Sequence, residues 1–88
     1  MNIIQSEIRT VQTPKGALRL RYRLFSEDSL ETGREYGTSI TSLDTGEERK
    51  VPALTCDEAR ARAFFAKLVR GTVTPVSLTD LAEDFILE

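Results

Sequence analysis

Arg19, Arg21 and Arg23 stand two residues apart in the segment Leu18-Arg19-Leu20-Arg21-Tyr22-Arg23-Leu24. In an extended strand this spacing puts three guanidiniums on one face, suited to anionic groups such as phosphates. Phe25 continues the row and offers an aromatic surface of the kind on which sheet-based RNA readers stack bases. The same row also reads as the solvated face of an antiparallel sheet, with Glu7 opposite Arg23 neutralising part of the charge. The solvated-face reading leads, because the row holds one aromatic only and 14 Asp and Glu outnumber 12 Lys and Arg for a net charge of −2. Nucleic acid rewards clustered cations, so it is disfavoured as a general partner.

The remaining chemistry-bearing residues read as architecture. Asp80, Glu83 and Asp84 fall at i, i+3 and i+4, where carboxylates on one helix surface could hold a divalent cation or divide acid and base roles. Hard-cation sites normally recruit loop carbonyls or further carboxylates, and the spacing supplies none. Asp80 in a first turn favours the helix dipole, whereas Glu83 and Asp84 oppose it and call for basic neighbours in Arg60, Arg62 or Arg70. Cys56 takes the first helical position if Thr55 caps, but it lacks a histidine, a second cysteine or an adjacent cation, and reads as an incidental thiol. The chain has no histidine, which removes Ser-His and Cys-His nucleophiles, His-ligated zinc and imidazole proton shuttles. Gly33, Gly37 and Gly46 are scattered and form no phosphate-cradling loop. The expectation is a non-enzyme with no catalytic residues, no metal and no cofactor.

At 88 residues the chain reads as a single domain over positions 1–88, since two independent cores would each lie near the lower limit for folding alone. Its 40% hydrophobic and 30% charged residues are a globular balance. One cysteine forms no intramolecular disulfide. The first residues have neither a basic start nor a long apolar run, and no stretch approaches the ~20 apolar residues that span a bilayer. A cytoplasmic location away from membranes is the default expectation.

Periodicity places these residues on elements. Ile3 to Val11 reads as a strand, followed by a turn at Thr13-Pro14-Lys15-Gly16. Ala17 to Phe25 alternates, with Leu18, Leu20, Tyr22 and Leu24 on one face and the arginines on the other. A three-residue loop with Gly16 left-handed pairs Ile8 with Tyr22 and Glu7 with Arg23, which aligns the apolar rows of the two strands. Polar residues 26–33 read as a mobile loop. Arg34 to Leu43 forms a third strand with Tyr36, Thr38, Ile40 and Ser42 on one side, and Asp44-Thr45-Gly46-Glu47 turns it into a fourth over 48–51. Pro52 ends that strand or marks an edge. Tyr22 and Tyr36 fall on inner positions, as core residues with hydroxyls at the rim.

The last third is helical. Thr55-Cys56-Asp57-Glu58 matches a capping box, and Ala61, Phe64, Phe65 and Leu68 trace an apolar stripe that ends at Gly71. A second helix after Ser77 carries Leu78, Leu81, Ala82, Phe85 and Ile86 on one face. The expected fold is α+β: a four-stranded antiparallel sheet of two hairpins, then two C-terminal helices packed on one face.

Leu68-Val69-Arg70, Val73-Thr74-Pro75-Val76, Leu78, Asp80 and Glu83-Asp84-Phe85 resemble the tail of a small, mostly clostridial family of unknown function. Its members are similar in plan, with an N-terminal β region, a strand Tyr-Gly pair like Tyr36-Gly37, a helix and this Thr-Pro tail. A histidine often stands where this chain has Ser77, so the resemblance implies a helix-start position there and not a required base. It implies the fold and a Firmicutes origin, and no activity. The functional expectation is therefore a protein-interaction or regulatory module with an unknown protein partner. Self-association as a homodimer is a subsidiary expectation, and nucleic-acid binding through Arg19, Arg21 and Arg23 is the alternative.

Overall fold

A computed structural model describes residues 1–31 and 33–87. Strands β1 (Asn2–Thr13), β2 (Gly16–Ser29), β3 (Gly33–Ser42) and β4 (Glu48–Thr55) precede helices α1 (Glu58–Arg70) and α2 (Pro75–Leu87). The strands form one antiparallel sheet in the order β1-β2-β3-β4. The expected α+β arrangement is the observed one.

Alternation decides which side of the sheet is covered. Leu20, Tyr22 and Leu24 of β2 and Tyr36 and Ile40 of β3 are buried in one cluster with Ala61, Phe64, Phe65, Leu68 and Val69 of α1 and Leu78 and Ala82 of α2. Helix α1 lies over β2, β3 and β4, and α2 lies over β3 and β4. Phe85 joins through its ring, 5.0 Å from that of Phe64. The apolar stripe of α2 is narrower than its sequence pattern, because Leu81 and Ile86 are exposed. Strand β1 adds only Ile4 and Val11 to the apolar packing and is otherwise an outer strand.

The β1–β2 register is one residue away from the expected one. Thr13 pairs with Gly16 across a two-residue loop of Pro14 and Lys15, which sets Ile8 opposite Arg21 and Glu7 opposite Tyr22. The expectation required β1 to bury its apolar row, but α1 covers β2 instead and that constraint is absent. Gln5, Glu7 and Arg9 therefore point to the helix side, where they border a groove beside Arg62 and Val69. Ile8 points to the helix-free side. A bulge between Ile3 and Gln5 restores Ile4 to the core.

Other boundaries moved for local reasons. Most of the stretch expected to be a mobile loop is strand: β2 runs to Ser29, and cross-strand pairs such as Asp28–Arg34 (3.5 Å) carry the hairpin outward. Thr32, within that stretch, lies outside the described residues. Strand β4 continues beyond Pro52 to Thr55 through a bulge in which Ala53 adopts φ 53°, so Pro52 marks an edge. Helix α1 is capped by Asp57, whose carboxylate accepts from the Arg60 amide at 3.2 Å, and Thr55 instead accepts from the Asp57 amide at 3.1 Å. Helix α2 starts at Pro75, whose fixed φ and missing N–H suit a first helical position. Ser77 is the third residue of that helix and does not cap it.

Candidate functional site

The helix-free face of the sheet carries the arginine row. On it, Arg19 lies beside Thr10, Arg21 between Ile8 and Thr41, Arg23 between Ser6 and Ser39, and Phe25 between Ile3 and Gly37. Lys50 and Glu48 of β4 follow beyond Ser39 and Thr41. The structure thus brings all three arginines together with a lysine and a run of hydroxyls.

Each arginine has a different environment. Arg19 is held by the β3–β4 turn: its backbone amide donates to Asp44 Oδ2 at 2.9 Å and its guanidinium to Asp44 Oδ1 at 3.1 Å. Those contacts, the backbone amide first, hold the Asp44 carboxyl below its usual range. Glu7, expected to neutralise Arg23, is on the opposite face. Arg21 and Arg23 are half-buried and make no ion pair among the described residues. The Arg21 Nε is fully shielded and has no hydrogen-bond acceptor. Enclosed by the protein's own atoms, that nitrogen loses water without gaining a partner, and the part of the Arg21 side chain left exposed is what a ligand can reach.

Phe25 is not a free stacking platform, since only 1% of its surface is exposed. One side of the ring lies on Gly37 and the Lys50 ammonium sits 4.9 Å from its centroid. Around it, Met1, Ile3 and Arg23 line a small depression. Glu48, the acidic residue nearest this row in β4, accepts from the Thr41 hydroxyl at 2.8 Å.

The two tyrosines tie the sheet to the helices from the other side. Tyr22, with no exposed surface, donates to the Val73 carbonyl at 2.9 Å, and burial pushes its hydroxyl up to about 12. Tyr36 donates to Glu58 Oε1 at 3.0 Å; burial, then the neighbouring Glu58, raises it. Glu58 also accepts from Arg62 at 2.9 Å, and the arginine first, then the tyrosine, hold its carboxyl below the usual range. Both rings are core residues with anchored hydroxyls.

Asp80, Glu83 and Asp84 are exposed along α2, and Asp80 stands in its second turn, not its first. Their expected basic neighbours are engaged elsewhere or unpaired with them: Arg62 binds Glu58 and Arg60 stacks over Phe85 at 4.6 Å. Among the described residues no three His, Cys, Asp or Glu side chains are grouped to hold a metal ion. Cys56 is exposed and precedes the Asp57 cap, so it does not sit on the helix dipole. A groove of about 390 Å³ between α1 and α2 is lined mainly by Phe64, Leu68, Val73 and Phe85.

Three contributors to the open face were missed in the sequence. Asp44 follows the third strand directly, yet its reach to Arg19 depends on the β2–β3 register. Gly37 and Lys50 meet Phe25 only once both hairpins are aligned.

The chain matches the family described as DUF6514, a family of unknown function, over residues 1–88, and it belongs to that family. No curated protein and no solved structure matches it. No helix among the described residues is long and apolar enough to cross a membrane.

Proposed function

We propose that this member of the family of unknown function is a non-enzymatic binding module that presents the helix-free face of its sheet to an acidic protein segment. The observation that carries the reading is the Arg21–Arg23 pair, half-buried at mid-sheet and without a carboxylate partner among the described residues. Carboxylates match guanidinium geometry in two-pronged hydrogen bonds. Ser39 and Thr41 flank the pair on β3 and are nearly fully buried, and the exposed Ser6 stands beside Arg23 on β1. Nucleic acid finds less here, since the one aromatic in the row is enclosed by Gly37 and Lys50.

Fluorescence anisotropy tests this with a labelled poly-glutamate peptide and a labelled single-stranded oligonucleotide of similar charge, each titrated at low salt. The peptide binds, and Arg21→Gln with Arg23→Gln weakens it by about tenfold or more, as expected when two charge-assisted contacts are lost. Preference for the oligonucleotide, or equal binding by the double variant, overturns the reading.

A further inference from the structure

Strand β1 is one edge of the sheet and β4 the other, and the two are built differently. The β4 edge is interrupted by Pro52, by a bulge and by Ala53 at φ 53°, the devices that keep an edge from pairing. From Gln5 to Thr13, β1 has an unbroken register, no proline and no lysine. It is a long, regular edge, and its guards are the inward-pointing Glu7 and Arg9, opposite in sign and so open to a partner that pairs them.

Its hydrogen-bonding parity follows from the topology. The hairpin closes through Thr13 and Gly16, and bonding in an antiparallel pair alternates from there, so odd residues of β1 bond to β2. An independent contact agrees: the Arg19 carbonyl accepts from the Leu43 amide at 2.9 Å, so odd residues of β2 face β3 and even ones face β1. Ser6, Ile8 and Thr10 therefore turn their N–H and C=O groups outward.

We propose that two copies of this chain pair antiparallel along β1, about a two-fold axis at Ile8. In that register the outward amides of Ile8 meet those of Ile8 in the second copy, and Ser6 meets Thr10. Glu7 then stands opposite Arg9 of the second copy, and Arg9 opposite its Glu7. A self-complementary contact of this kind is what an isologous interface requires. Moving the axis to Glu7 or to Arg9 sets like charges opposite one another, and moving it to Ser6 or Thr10 loses both ion pairs. Glu7–Arg9 falls in the narrow, non-hydrogen-bonded position, where side chains approach closely. Ile8, 59% exposed in one copy, is covered by its equivalent.

The axis runs perpendicular to the sheet, so both helical layers lie on one side and both arginine faces on the other. The dimer presents two Arg21–Arg23 pairs on one continuous sheet. The inference does not depend on what that face binds, and oligomeric state is read without any ligand.

Sedimentation equilibrium over roughly micromolar to millimolar concentration tests it. The wild type reaches twice the 9.9 kDa of one chain. Glu7→Arg alone and Arg9→Glu alone each weaken the dimer by at least about tenfold, since each sets two like-charge pairs across the axis. The double exchange restores it to within about threefold. Ile8→Pro removes an outward N–H and no bond between β1 and β2, keeps the circular dichroism spectrum of the fold and leaves a monomer. A protein monomeric throughout, a dimer indifferent to both single reversals, or a double exchange no better than either single one overturns the proposal.

Discussion

The ring of Phe25 lies across Gly37: a Cβ added at Gly37 would stand 2.7 Å from Phe25 Cζ and 2.5 Å from the Val51 carbonyl oxygen. A mid-strand glycine leaves backbone uncovered, and a cross-strand aromatic covering it is a recurrent remedy. Here the remedy also removes Phe25 from solvent and leaves the arginines as the chemistry of that face. Gly37→Ala should destabilise the protein by about 2–3 kcal/mol, because both clashes must be relieved inside a packed strand pair. Urea unfolding measures this, and a change below about 0.5 kcal/mol would show that the ring and strand yield freely.

Thr72, not Gly71, carries the left-handed turn after α1. Gly71 has an ordinary φ of −84°, while Thr72 has φ 46°, its amide bonding to the Val69 carbonyl and that of Val73 to the Leu68 carbonyl. A β-branched residue in that region is strained by roughly 1–2 kcal/mol. Thr72→Gly should raise stability by about 1 kcal/mol, and Gly71→Ala should cost less than that. The reverse ranking in thermal melts would place the left-handed residue at Gly71.

Asp57, not Thr55, caps α1. Asp57→Ala should cost about 1 kcal/mol and Thr55→Ala clearly less, with loss of the Arg60 amide's acceptor as the cause. Equal costs in urea unfolding would contradict the assignment.

Tyr22 makes stability depend on alkaline pH. Its folded value, about 12, lies above its ordinary 10.0, so the neutral form is favoured by folding. The contribution is complete below pH 10.0 and is lost as pH rises toward 12. Tyr22→Phe should remove Tyr22's share of that slope and leave the share of Tyr36, while costing about 1 kcal/mol at neutral pH through the lost bond to Val73. With two tyrosines and no tryptophan, the difference in phenolate absorbance between the wild type and Tyr22→Phe follows the titration of Tyr22. Ionisation of Tyr22 near 10 in the folded protein would contradict the buried contact.

Much of the fold is legible in the residues because alternation and helical spacing are strong where burial enforces them. Leu20, Tyr22 and Leu24, Tyr36 and Ile40, and Phe64, Phe65 and Leu68 all lie where their periodicity puts them. The register of β1 was not legible, because α1 lies mainly over β2, β3 and β4 and only Ile4 and Val11 of β1 join the core, so burial selects weakly among registers. Caps also slipped: Thr55 and Asp57 both offer a side-chain oxygen, and only the backbone at Asp57 (φ −94°, ψ 111°) decides between them. Of the candidate site, the arginine row was visible as spacing. Its division into one arginine clamped by Asp44 and two left open was not, because that rests on a turn 25 residues away in sequence.

Whether the arginine face is the binding surface is read from an amide chemical-shift titration of the labelled protein with the poly-glutamate peptide. Binding on the arginine face gives shifts concentrated at Arg21, Arg23, Ser39 and Thr41, with α1 and α2 unmoved. Shifts confined to the helical layer, or none at saturating peptide, would contradict it.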